Sequence, residues 1–267
     1  MKGLASVLLV IILLGITGIA GPLEMSLGGG LSWTPLTSIN ESISVANTWI
    51  GELNQASNDL PSLTGTVVPM PDMDTGMYLS AAEQYRLTDW FALGGHVEYM
   101  RLSSATVGLY QGSEISQIDL SYRSHILGVV LGGDVTFVNL GIRLGARGGV
   151  GYFYSIVDRE AVFQIPNEFT RVPAGLPSEG VGRYTGGTFG LEAGITLSYP
   201  IFSWLTIGTQ VLYRSAEVDS LTTMQGIGMD LNSDGETDSL NLSGIAVQFM
   251  FSINIDLSSD GGKESLQ

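Results

Sequence analysis

The 267 residues contain no cysteine, which excludes a disulfide framework, thiolate metal ligation, a cysteine nucleophile and lipoprotein attachment. Charge is also scarce, at 14% of residues against roughly 25% in a soluble domain. Cations are the rarest class: 11 Lys and Arg stand against 26 Asp and Glu, so no basic footprint for nucleic acid exists. Apolar residues, at 44%, are too many for a disordered chain. Long uncharged apolar runs are missing beyond the N-terminus. Leu191–Leu212 is interrupted by Glu192 and Pro200, and Ile126–Leu144 carries Asp134 and Arg143. Neither matches the roughly 20 apolar residues of a spanning helix.

What is present begins with an export signal. Lys2 precedes the apolar stretch Leu4–Ile16, and Gly18-Ile19-Ala20 supplies small residues for cleavage, so residues 1–20 read as a secretory signal peptide. Its removal takes away Lys2 and changes the formal net charge from −15 to −16. An exported chain without cysteine suits a Gram-negative envelope.

From Glu24 onward the dominant pattern is alternation, the period of a strand with two unlike faces. Phe91, Leu93, Val97 and Tyr99 alternate with Ala92, Gly94, His96 and Glu98. In the next segment Leu120, Tyr122, Ile126 and Val130 oppose Asp119, Ser121, Arg123 and His125. Leu140, Ile142, Leu144, Ala146, Val150 and Tyr152 oppose Asn139, Arg143, Arg147 and several glycines. Similar stretches follow around 189–197, 205–213 and 245–253. Glu24–Trp33 and Thr75–Leu87 repeat the pattern more loosely, the second interrupted by Glu83. The total is eight strands. The 36 glycines fit the same picture, because small residues let a tight barrel curve and fill its interior.

Connections alternate between short and long. Tight turns are expected at Leu87–Trp90, around Gly133–Phe137 and at Pro200–Trp204, with long polar loops at about 34–73, 104–117, 158–182 and 216–239. Trp90, Phe137, Phe202 and Trp204 gather by the short turns, and Trp33, Tyr122, Tyr152 and Tyr213 by the long loops. The long loops carry fifteen acidic residues and two basic ones, Arg159 and Arg171.

This arrangement resembles the small bacterial outer-membrane β-barrels of the OmpA/OmpX-like superfamily. The resemblance covers nearly the whole chain after residue 20 and is architectural. It implies an all-β fold: an eight-stranded antiparallel up-and-down transmembrane barrel over residues 21–257, with long extracellular loops and a polar tail at 258–267. It also implies location in the bacterial outer membrane, contact with outer-membrane lipid and a monomeric state. That tail is a departure, since such barrels usually end on an aromatic residue.

Charge facing lipid at mid-depth costs about 2–4 kcal/mol for Arg or Lys. The charged face is therefore expected inside, where His96, Glu98, Arg123, His125, Arg143, Arg147 and Glu192 would form a polar network filling the lumen. A soluble calyx would instead keep its apolar face inside and show too few charges outside.

Two loop features stand out. Asp230, Asn232, Asp234, Glu236 and Asp238, with Gly235, follow the oxygen-ligand spacing of a calcium loop, although Asn241 replaces the acid at its twelfth position. The competing reading is an Asp-Gly turn at an acidic tip. In the first loop Ile39, Ile43, Ala46, Ile50 and Leu53 recur at helical spacing behind the capping-box pattern Ser38-x-x-Glu41. They predict an amphipathic helix over about 38–56, either a lid or partner-binding element or one packed on the rim.

The functional expectation is a non-enzymatic barrel in a structural or surface-interaction role. It requires no cofactor, with calcium, another divalent cation or an extracellular ligand at the acidic loops. A narrow passive channel for small solutes is the alternative. A lipid-modifying enzyme is the third reading, because some barrels of this architecture are lipid-A deacylases or acyltransferases. Residues two apart on one strand face are roughly 7 Å apart, so Asp119, Ser121 and His125 are neighbours without forming a triad. With both histidines expected in the lumen, that third reading has no site open to the bilayer.

Overall fold

The computed structural model describes residues 22–59, 64–111, 115–164, 180–231 and 236–256. The expected signal peptide at 1–20 and the expected polar tail at 258–267 lie outside these residues. The elements are β1 (Pro22–Trp33), α1 (Thr37–Asp59), β2 (Thr64–Val67), β3 (Thr75–Arg86), β4 (Phe91–Gln111), β5 (Ile115–Asn139), β6 (Arg143–Phe163), β7 (Gly180–Phe202), β8 (Leu205–Ser215), β9 (Glu217–Val218), β10 (Leu240–Asn241) and β11 (Gly244–Asp256).

Eight of the strands form an antiparallel ring in the order β1-β3-β4-β5-β6-β7-β8-β11. The ring closes where β11 pairs with β1, from Pro22↔Asp256 to Trp33↔Ile245. Closure satisfies both sheet edges, which hydrocarbon demands because no water is present to do so. The short β2 continues along the free edge of β4 above β3, and β9 pairs with β10 in a small ribbon.

The strands are of two lengths. β4, β5, β6 and β7 run for 21, 25, 21 and 23 residues, about twice the 9–11 a membrane requires. Polarity reverses part-way along them. On β4 the outward residues Phe91, Leu93, Val97 and Tyr99 give way to Arg101, Ser103 and Ala105, while inward His96 and Glu98 give way to Met100 and Leu102. On β5 the outward Leu131, Val129 and Leu127 are followed by His125 and Arg123, and inward Asp134 by Ile126, Tyr122 and Leu120. The reversal follows one hydrogen-bonded rung, Tyr99↔Leu127↔Tyr154. Below it the surroundings are hydrocarbon, so apolar residues face out. Above it they are water, so charged residues face out and Met100, Leu102, Leu120, Tyr122 and Ile126 fill the interior, although Val107, Leu109 and Val181 are also exposed toward the strand tips.

Two sequence expectations are corrected here. The stretches 104–117 and 158–182 are not loops throughout, because β4 continues to Gln111, β5 begins at Ile115 and β6 continues to Phe163. Exposed positions alternate with buried ones along them, but not by polarity: on β4 Val107 and Leu109 are exposed while Ser104 and Thr106 are buried. The turn expected near Gly133–Phe137 lies instead at 140–142. β5 runs through the glycines with a bulge between Thr136 and Val138, and Gly141 adopts φ 84°, a left-handed conformation that glycine takes without a Cβ clash.

The upper chamber is closed by α1, which spans more residues than the spacing alone indicates. Ile39, Ile43, Ala46, Trp49, Ile50 and Leu53 are all buried. They pack on Tyr122, Leu120, Met100 and Leu102 from the barrel wall and, toward the strand tips farther from the membrane, on Tyr110 and Ile118. Ser38 does not form a capping box; its hydroxyl donates to the Ser239 carbonyl across the mouth at 2.7 Å. Behind the helix a ladder of three asparagines, seven residues apart, holds the returning segment 67–74. Asn40 donates to Asp74 and accepts from the Met73 amide, both at 2.7 Å. Asn47 brackets Met70 in the same way, donating to its carbonyl at 2.9 Å and accepting from its amide at 2.7 Å. Asn54 does so with Val67 at 2.9 and 3.0 Å. These amides thus supply backbone bonds to a segment that, beyond Val67, has no strand partner.

Replacing Asn47 by Ala leaves the Met70 amide and carbonyl without these partners, which costs about 1–3 kcal/mol for a buried group. The Met70 amide should then exchange with solvent deuterium at least about tenfold faster. Unchanged protection of Met70 would show that the ladder does not hold this segment.

Candidate functional site

The lower lumen gathers polar side chains from nearly every strand of the ring. At its centre, Arg214 on β8 contacts Glu98 on β4 at 2.5 Å, and the Tyr78 hydroxyl on β3 donates to the other Glu98 oxygen at 2.7 Å. His96 lies 3.2 Å from Glu192 on β7 and 3.9 Å from Glu98. The His96–Glu192 approach is an electrostatic contact rather than an aligned hydrogen bond. Arg214 also sits 4.7 Å over the Phe153 ring and donates to the Met100 sulfur at 3.3 Å. Two carboxylates are therefore faced by one guanidinium and one imidazole.

Glycine makes room for this cluster. A Cβ on Gly128 would lie 2.6 Å from Glu98 Oε1 and 2.9 Å from the Phe153 ring, so any larger residue there would push the carboxylate off Arg214. A second layer links β3, β11, β8 and β7: Ser80 donates to Gln248 at 2.6 Å, Gln248 to Gln210 at 2.6 Å, and Gln210 to Thr196 at 3.0 Å. Nearer the short turns, Arg147 makes a forked contact with Asp134 at 3.1–3.3 Å, and Gln84 donates to the same carboxylate. Arg143 lines the open lower end of this lumen with Glu24, Arg86 and Asp134.

Of the expected lumen residues, His96, Glu98, Arg143, Arg147 and Glu192 point inward. Arg123 and His125 do not. Arg123 is exposed on the outer face, and His125 lies beside it, its Nδ1 2.7 Å from the Tyr99 hydroxyl. The cause is the polarity reversal: both residues stand above the rung at which water replaces lipid, where a charge belongs outside. The sequence places Arg214 with Thr206 and Gln210 on the polar face of its strand, but the expected lumen network leaves it out, although it turns out to be central to that network.

The donor atoms of His96, Glu98 and Glu192 lie within 4.8 Å of one another, close enough to converge on a metal ion. Arg214, already in contact with Glu98, supplies positive charge to the same cluster. For the calcium loop, Asn232 and Asp234 fall outside the described residues. Asp238 accepts from the Leu231 amide at 2.6 Å and its own amide donates to Met229 at 2.7 Å, so the ends of the loop are clamped together. Asp230 is half-buried and Glu236 exposed.

Against this polar interior stands an apolar exterior. Phe189, Phe249 and Leu131 are 80%, 68% and 67% exposed, whereas Glu98 and Glu192 are 3% exposed. Trp90, Phe137, Phe202 and Trp204 collect at the short-turn end. Only hydrocarbon makes that distribution favourable. The chain is a transmembrane β-barrel. Among its described residues no helix is long and apolar enough to cross a membrane. Glu83 is an exception on the outer face of β3, where it is held nearly buried and accepts from the Tyr85 hydroxyl at 2.8 Å.

No family model and no curated protein matches the sequence. Solved structures with a similar chain trace include the outer membrane protein OprG of Pseudomonas aeruginosa, at 12% identity and a TM-score of 0.43, covering 88% of this chain and 96% of that one. Neisserial surface protein A is 9% identical with a TM-score of 0.38, covering 89% and 99%. The outer membrane protease OmpT of Escherichia coli is 10% identical with a TM-score of 0.35, covering 87% and 94%.

Arg214→Ala would strand the Glu98 charge in the lumen, a change expected to lower unfolding free energy by about 3–5 kcal/mol. The double variant Glu98→Gln/Arg214→Gln should lose clearly less, because neither charge is left alone. Urea titration of the barrel in lipid vesicles distinguishes the two. A double variant as damaged as the single one would show that the ion pair is not what matters at this position.

Proposed function

We propose that this protein is a non-enzymatic, non-conducting barrel whose lower half is an anchor. Its water-exposed superstructure would be the working surface, presenting acidic loops to a surface partner or a divalent cation. The observation that carries this reading is the seal. Leu36, Ile39, Ile43 and Ala46 are fully buried against the upper wall, and below them Arg214, Glu98, His96 and Glu192 join opposite sides of the lumen. A water-filled path would need both layers to open. The passive-channel reading is therefore disfavoured, and the ring, closed on its own strands, is treated as a monomer.

Against lipid chemistry, the outward position of His125 gives it access to the interface, but its recorded partner is the Tyr99 hydroxyl. On the same face Ser121 stands four residues from His125, roughly 14 Å along the strand, and Asp119 roughly 7 Å beyond it. A serine nucleophile must reach its base within about 3 Å. Calcium capture at 230–238 belongs to the same proposal: clamping at 229–238 brings the acidic ends of that loop together. Asp230→Asn/Asp238→Asn should remove any calcium heat seen by titration calorimetry.

Planar-bilayer recordings of the intact chain should show a flat baseline without stepwise conductance. Reproducible unitary steps, altered in size by Arg143→Ala at the lower end, would replace this reading with the channel.

A further inference from the structure

Eight arginines fall among the described residues, and five of them, Arg86, Arg143, Arg147, Arg159 and Arg214, occupy inward-facing positions. The remaining three face out together. Arg101 and His125 share one rung of the sheet, directly above the Tyr99–Leu127–Tyr154 rung. Arg123, Asp158 and Arg183 share the next, about 7 Å further along the strands. The three guanidinium groups are close enough for each to act on the charge of His125.

Only one of them is strongly paired. Arg183 gives two bonds to Asp158 at 2.6 and 2.9 Å, which holds the Asp158 carboxyl below its ordinary pKa. Neither Arg101 nor Arg123 makes an ion pair among the described residues. Three arginines and one aspartate leave two positive charges on two rungs, in a protein whose formal net charge is −15. The acids Glu160 and Asp119 lie higher still, one and two rungs above. Outward from the bilayer the order is therefore apolar belt, tyrosine hydroxyls, arginines, then acids.

We propose that this patch docks the phosphate groups of an outer-leaflet glycolipid. Height decides the occupant: Arg101 and the Tyr99–His125 pair stand at the edge of the hydrocarbon, where a lipid's phosphate sits, while the lipid's chains lie against the belt below. Chemistry agrees, since guanidinium forks match phosphate oxygens in charge and geometry. Two of the five N–H donors of Arg183 go to Asp158, which orients its planar group on the sheet. A soluble partner, in contrast, would first meet the acidic loops.

The purified full-length barrel in detergent micelles, titrated with bisphosphorylated lipid A and followed by native mass spectrometry, tests this. Dephosphorylated lipid A should bind at least about tenfold more weakly. Each arginine beside an anionic surface contributes about fivefold, so Arg101→Gln/Arg123→Gln/Arg183→Gln should lose about a hundredfold. Asp158→Asn removes the one acid in the patch and should tighten binding, a change of sign that damage to the fold cannot imitate. Equal binding of the two lipids, an unaffected triple variant or weaker binding by Asp158→Asn would each overturn the proposal. So would inorganic phosphate competing at the same concentration as the lipid, because the patch would then read a free anion.

Discussion

The rest of the structure depends on one constraint: a backbone in hydrocarbon has no solvent to bond, so the sheet must close, and a closed sheet has an inside and an outside that can be assigned different solvents. The β1–β11 seam meets the first requirement. The second is met twice, in opposite senses, along the same strands. At mid-membrane the outside is lipid and the polar atoms of Glu98, Arg214 and Glu192 turn inward to satisfy one another. One rung above Tyr99 the outside is water, and Met100, Leu102 and Tyr122 take over the interior. The strand path does not change there; only its surroundings do.

This reversal explains why the barrel has two kinds of interior. The lower one is ionic, and its members compensate one another's desolvation, so removing one member costs more than the pair contributes. The upper one is a conventional apolar core that four long strands cannot close alone, because the opposite wall of the ring is short. α1 and the segments at 67–74, 216–231 and 236–242 supply the missing wall. The asparagine ladder matters for the same reason, since it gives a partnerless stretch of backbone the bonds that a ninth strand would have provided.

The same reversal sorts the arginines. Below the rung an arginine facing outward would meet lipid, and there the outward positions are apolar or small apart from Glu83. Above it an outward arginine meets water and headgroups. Among the described residues the scarce external positive charge of arginine thus lies in one place, immediately above the belt, with acidic groups further out. Anchoring, sealing and surface chemistry are in this way stacked along one axis.

Alternation with period two, the absence of apolar helical runs and the aromatic clusters were enough to determine eight strands and a membrane-facing side. They also determined an ionic lumen containing His96, Glu98, Arg147 and Glu192. These features are local: each strand's two faces are written in its own residues. The helix was legible for the same reason, from Ile39 to Leu53, and Asn40, Asn47 and Asn54 at intervals of seven were visible, although their purpose was not. Tertiary structure alone decided how high the water begins on each strand. Asp134 and Arg123 differ in parity along β5, so opposite faces carry charge at its two ends, and no single strand reveals where that exchange falls. It is fixed by the register of neighbouring strands, which aligns Tyr99, Leu127 and Tyr154 into one boundary, and so Arg123 and His125 came to lie outside.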